Sequence, residues 1–123
     1  KKILDQNIEV SATCVRIPVF IGHSESVNIE FDSHLNPEKA TELLRSFKNI
    51  SIVDIRKDEG YVTPVEVAGE DKVYISRIRK DYSTDNGINM WIVADNLRKG
   101  AALNAIQIAE IIIDKFHQYL SRN

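Results

Sequence analysis

The chain has 123 residues, 43% hydrophobic and 28% charged, with only 5 Gly and 3 Pro, which excludes collagenous and low-complexity classes and fits one compact domain. Lys and Arg number 16 against 18 Asp and Glu, a formal net charge of −2, so the broad positive footprint of a nucleic-acid-binding protein is missing. The longest apolar runs are short and charge-flanked, as at Ile111-Ile112-Ile113 between Glu110 and Asp114-Lys115, so no bilayer-spanning segment is expected.

The sequence opens on Lys1-Lys2-Ile3-Leu4, which reads as the tail of a helix and suggests a piece of a longer protein. Residues 8 to 16 alternate, with Ile8, Val10, Ala12 and Cys14 on one phase, and predict a half-buried strand. Pro18 and Gly22 interrupt it, and Val27, Ile29 and Phe31 then mark a second strand expected to pair antiparallel with the first. Asn36-Pro37 is a helix start, followed by Ala40, Leu43, Leu44 and Phe47 at helical spacing. Residues 50–55 read as a strand, and 56–72 as a connection long enough to be functional or part of an interface. Two further strands, 73–79 and 88–94, flank the turn signal Asn86-Gly87; the second is apolar on both phases and is expected to be central. From about Leu97 to Leu120 the period turns helical, with Ala102, Ala105, Ala109, Ile112, Phe116 and Tyr119 on one stripe. The order β-β-α-β-β-β-α predicts an α+β domain over 1–123, a mixed or antiparallel sheet with helices packed on one face.

Phase also ranks the polar residues. Arg16 continues the apolar phase of Cys14, and a buried guanidinium requires either a structural acid or an anionic ligand. His23 continues the phase of Val27 and Ile29, as a core or turn histidine or as a general acid–base. Seven residues separate the two, so only a break in the chain around Pro18 to Gly22 can place them on one side of a sheet. His34 and His117 sit in polar contexts and are expected in solvent. Cys14 reads as a small core residue rather than a nucleophile, and as a lone cysteine, with no leader-like segment, it points to a reducing cytoplasm. Asp95-Asn96, ahead of the last helix, suit either a plain cap or an anionic or amide-bearing ligand, and Gly100 permits close backbone approach. Arg77, Arg79 and Lys80 read as a solvated or inter-subunit face, and no phosphate loop, metal-ligand cluster or Ser/His/Asp arrangement is present.

Three stretches together carry a resemblance. Ser11-Ala12-Thr13-Cys14-Val15-Arg16-Ile17-Pro18-Val19 with Gly22-His23-Ser24-Glu25, then Thr63-Pro64-Val65-Glu66-Val67-Ala68-Gly69, then Asp95-Asn96-Leu97-Arg98-Lys99-Gly100-Ala101-Ala102-Leu103-Asn104-Ala105, resemble the C-terminal part of bacterial aspartate-semialdehyde dehydrogenases. The resemblance implies part of a glyceraldehyde-3-phosphate dehydrogenase-like C-terminal domain, in a homodimeric NADP-dependent enzyme. That enzyme reductively dephosphorylates aspartyl phosphate to aspartate semialdehyde, releasing phosphate, on the path to lysine through diaminopimelate, threonine and methionine. Its nucleophile is an upstream cysteine that forms a thioester, and Cys14 does not match that motif. By the same resemblance Arg16 is the clamp for the substrate carboxylate, His23 the acid–base residue, and Asn96 a contact to the nicotinamide end of the cofactor. The alternative is an α+β interaction module that dimerises without catalysis of its own. In either case the chain alone is expected to lack dehydrogenase activity and tight NADP binding.

Overall fold

A strand apolar on both phases must be covered on both faces, and the fold is arranged around one. The computed structural model describes residues 5–55 and 58–122. Along the chain run β1 (His23–Glu30), α1 (Pro37–Arg45), β2 (Ile50–Ile52), β3 (Val73–Lys80), β4 (Gly87–Ala94) and α2 (Leu103–Leu120). The strands form one mixed sheet in the order β1-β4-β3-β2, antiparallel at β1/β4 and β3/β4 and parallel at β2/β3. The central strand is therefore the one expected, and the α+β class holds.

On one face Ile88, Met90 and Ile92 of β4 meet Val27 and Ile29 of β1 and Ile75 and Ile78 of β3, and α1 closes this layer with Ala40 and Leu44. Complete burial of Ile78 and Ile88 contributes about 1.5–3 kcal/mol each. The helix starts as its sequence predicts: Pro37 opens the first turn and the Asn36 side chain accepts the Lys39 N–H at 2.7 Å.

The opposite face is covered by the long connection between β2 and β3. Val62 and Val67 pack there against Val93, Trp91 and Tyr74. The Trp91 indole N–H donates to the Val62 carbonyl at 2.8 Å, and the Val62 N–H donates to the buried Ser76 hydroxyl at 3.3 Å. The segment is thus a second covering layer, fastened by buried polar contacts at its own backbone.

A bulge in β3 makes the first core possible. Ser76 lies on the Trp91 face, and simple alternation would put Ile78 there too. The ladder to β4 shifts between Ser76 and Arg79, and Arg77 takes a left-handed φ of 59°. The Asp54 carboxylate accepts the N–H of Arg77 at 3.0 Å and of Ile78 at 3.1 Å, satisfying the amides that the bulge frees. Ile78 thereby turns to the α1 face.

Several expectations are corrected. Residues 8–16 form no strand; the segment is exposed, and β1 pairs with β4 instead. Alternation selects a face only where a ladder exists, so both phases of 8–16 meet water, Cys14 is exposed rather than core, and Arg16 is exposed rather than buried. β2 ends at Ile52 rather than residue 55. The last helix starts at Leu103, not Leu97, because Lys99, Gly100 and Ala101 leave helical geometry, with Gly100 at φ 87°. Its apolar stripe is not buried: α2 buries no residue, and Ile112, Phe116 and Tyr119 are all more than half exposed. The helix tail expected at Lys1-Lys2-Ile3-Leu4, like Arg56 and Lys57 of the long connection, falls outside the described residues.

Removing the Asp54 acceptor should strand two amides and release Ile78 from its face. Asp54→Ala is expected to lower unfolding stability by about 1–3 kcal/mol, read as a lower urea midpoint at unchanged m-value. An unchanged midpoint would show that the bulge forms without it.

Candidate active site

The end of β4 gathers three distant segments. Asp95, directly after the strand, is 3% exposed, and its carboxylate accepts the Gly69 N–H at 2.7 Å and the Leu97 N–H at 2.8 Å. Its carbonyl accepts the N–H of Lys99 at 2.8 Å, which closes the turn that leads to α2. Asn96 reaches the other way, its side-chain oxygen accepting the Gly22 N–H at 2.8 Å. Gly22 is buried at φ 105°, and a Cβ there would lie 2.8 Å from Pro64 Cβ. Only glycine accommodates both the left-handed backbone and that contact.

These contacts fix the first residue of β1. His23 pairs with Ala94, so its imidazole stands on the α1 side of the sheet at the margin where the strand begins. The expected break before it is present: residues 18–22 bend, and the Val19 N–H turns back to the Ile17 carbonyl at 2.9 Å. An open cleft of about 250 Å³ lies beside His23, with Asn96, Lys99 and Gly100 along one wall. Its floor is apolar, made by Val73, Ile92 and Ala94, and Glu25 completes it on the same strand as His23.

Two of the three residues singled out by sequence thus meet: His23 and Asn96 line one cleft. Arg16 lies in the exposed segment ahead of the break and is not among the residues lining it. Sequence reading passed over Glu25, although its spacing of two from His23 on a strand puts it on the same face. It also left Lys99 without a role; the structure turns Lys99 to the cleft, with its ammonium donating to the Gln107 side-chain oxygen. Asp95, for which sequence leaves open a cap or a ligand contact, binds the Gly69 N–H, a link between residues too far apart in sequence to be foreseen.

Residues 1–99 match the family model described as semialdehyde dehydrogenase, dimerisation domain, and the chain belongs to that family. It is 51% identical over 116 residues to the aspartate-semialdehyde dehydrogenase of Rickettsia bellii, covering 94% of this chain and 34% of that protein. The Aquifex aeolicus aspartate-semialdehyde dehydrogenase is 49% identical over 114 residues, covering 92% of this chain and 34% of its own length. The chain therefore spans about a third of the relatives it matches. The solved structure of aspartate semialdehyde dehydrogenase II from Vibrio cholerae, complexed with ASA, superposes with a TM-score of 0.75 at 43% identity, over 83% of this chain and 30% of that one.

The backbone N–H of Gly69, with those of Leu97 and Arg98, holds the Asp95 carboxyl below the usual carboxylate range against the opposing effect of burial. A carboxyl lowered on folding contributes stability that is present above its unfolded value and is lost as pH falls through the folded one. Stability is thus expected to fall as pH drops below about 4. Asp81 and Glu66, also lowered by hydrogen bonds, act in the same direction. Asp95→Asn should flatten this acid slope in urea unfolding from pH 6 to 3, and an identical slope in both proteins would show that the Asp95 clamp is not formed.

Proposed function

We propose that this chain is the C-terminal part of an NADP-dependent aspartate-semialdehyde dehydrogenase and supplies an acid–base histidine and a carboxylate-binding arginine. The nucleophilic cysteine and the nucleotide-binding domain belong to other parts of the polypeptide. The observation that supports this reading most is convergence: Pro64 backs Gly22, Gly69 is held by Asp95, and Gly22 is held by Asn96. Parts of the three stretches that resemble the family, Gly22, Pro64 to Gly69 and Asp95-Asn96, thus meet where β1 begins.

In this reading His23 exchanges a proton between an imidazole nitrogen and the cysteine sulfur, and later the oxygen of the hemithioacetal, as aspartyl phosphate is converted to the semialdehyde and phosphate leaves. Arg16 grips the substrate carboxylate, a task for a planar two-pronged donor. Asn96 spends its oxygen on Gly22, so its amide hydrogens remain to donate to the carboxamide of a nicotinamide. Gly100 supports the same assignment, because nothing lies within 4 Å of where its Cβ would be and a flat ring can approach the backbone. When bound, NADPH supplies the hydride, while the residues of this chain orient the ring and move the proton. A homodimeric, cytoplasmic biosynthetic enzyme completes the proposal; no helix of the described residues is long and apolar enough to cross a membrane.

Two substitutions in the full-length enzyme test the roles. His23→Ala should lower kcat by roughly 10²–10⁴ with semialdehyde, phosphate and NADP as substrates; an unimpaired enzyme would remove the histidine from the mechanism. Arg16→Lys keeps the charge and loses the fork, so kcat/KM for the semialdehyde should drop about tenfold or more while the KM for NADP stays put. Equal weakening toward both ligands would make Arg16 a structural ion-pair partner instead.

A further inference from the structure

A histidine that moves protons must present one particular ring nitrogen to the reacting atom, and the partner of its other nitrogen decides which one carries the proton. Among the described residues no side-chain partner for the His23 imidazole is already in place. The lining of the cleft narrows the choice of partner. Val73, Ile92 and Ala94 offer no side-chain polar atom. Lys99 is a cation whose ammonium already donates to Gln107. The Asn96 side-chain oxygen already accepts the Gly22 N–H, and its remaining neutral acceptor position is weaker toward an imidazole N–H than a carboxylate. Glu25 is left, a cleft-lining carboxylate with no hydrogen bond of its own among the described residues.

Geometry favours it. His23 and Glu25 are two apart on β1, on one face, with Cα atoms about 6.6 Å apart at the usual strand rise. Opposite His23 stands Ala94, whose methyl leaves room for the ring to lean along the strand. A glutamate spans that gap with its extended side chain. We infer that Glu25 is a positioning residue for His23: its carboxylate accepts the N–H of the ring nitrogen turned away from the substrate and leaves the other nitrogen to the cleft. The inference rests on the acid–base reading of His23.

Two measurements separate this from a structural role. In the 123-residue chain labelled with ¹⁵N-histidine, long-range ¹H–¹⁵N spectra at pH 8 report how the proton is shared between the two nitrogens of His23. One nitrogen should hold it in the wild type, and Glu25→Leu should give a mixture, while Glu25→Gln, which keeps an acceptor, should preserve most of the bias. In the full-length enzyme, Glu25→Leu should lower kcat by ~10- to 100-fold with the semialdehyde KM within about twofold, and Glu25→Gln should recover much of the loss. An unchanged proton distribution in Glu25→Leu overturns the inference, as does equal loss in the Leu and Gln variants. If His23→Ala leaves turnover intact while the distribution still shifts in Glu25→Leu, the pairing stands and the catalytic reading of His23 fails.

Discussion

The residues Asp95 and Asn96 are the junction on which the rest of the molecule depends. A strand end normally releases its chain to solvent, yet here two adjacent side chains bind backbone amides on opposite sides, Asp95 that of Gly69 and Asn96 that of Gly22. Each bond closes a long stretch of sequence and fastens a backbone amide of a loop to the end of the central strand. The Asp95 bond is charge-assisted and stronger than the neutral one from Gly22 to Asn96, and a buried carboxylate that lost its donors would be costly. The junction therefore holds both the covering segment and the start of β1, which meet each other at Pro64 and Gly22.

The location of the cleft follows from that. His23 reaches the α1 side of the sheet because Gly22 fixes where β1 begins, and Gly22 is fixed by Asn96 and by Pro64 behind it. Lys99 and Gly100 reach the same cleft because the Asp95 carbonyl closes the turn ahead of α2. A single short turn thus builds one wall of the site and anchors the other. The bulge at Arg77, held by Asp54, performs a comparable service for the core by bringing Ile78 to the layer under α1.

Much of this was legible in sequence where local chemistry decides. The cap at Asn36-Pro37 and the central strand with both phases apolar carry their own signals and appear in place, whereas the turn between β3 and β4 falls at Tyr82-Ser83, where the Asp81 carboxylate accepts the Ser83 N–H, and Gly87 opens β4. Alternation misled at 8–16, because period two states only that a segment could pair, and no strand pairs with it among the described residues. The same error placed Cys14 and Arg16 inside, whereas both are exposed. His23 stands on the face its phase indicates because its strand does form, although as the first residue of β1 it is exposed. Contacts between side chains and remote amides, such as Asp95 to Gly69, leave no local trace in sequence, since any Asp ahead of a helix looks like a cap. The exposed stripe of α2 has the period of a buried helix, and its burial depends on a partner surface that periodicity does not specify.

The account stands on the claim that Asp95 and Asn96 act separately on their two amides while jointly setting the cleft. Amide hydrogen exchange at Gly22 and Gly69 tests it most directly. In the wild-type chain both amides should be protected; Asn96→Ala should release Gly22 alone, and Asp95→Ala should release Gly69. If Gly22 exchanges freely in the wild type, or stays protected in Asn96→Ala, then the start of β1 is held by something else and the placement of His23 needs another cause.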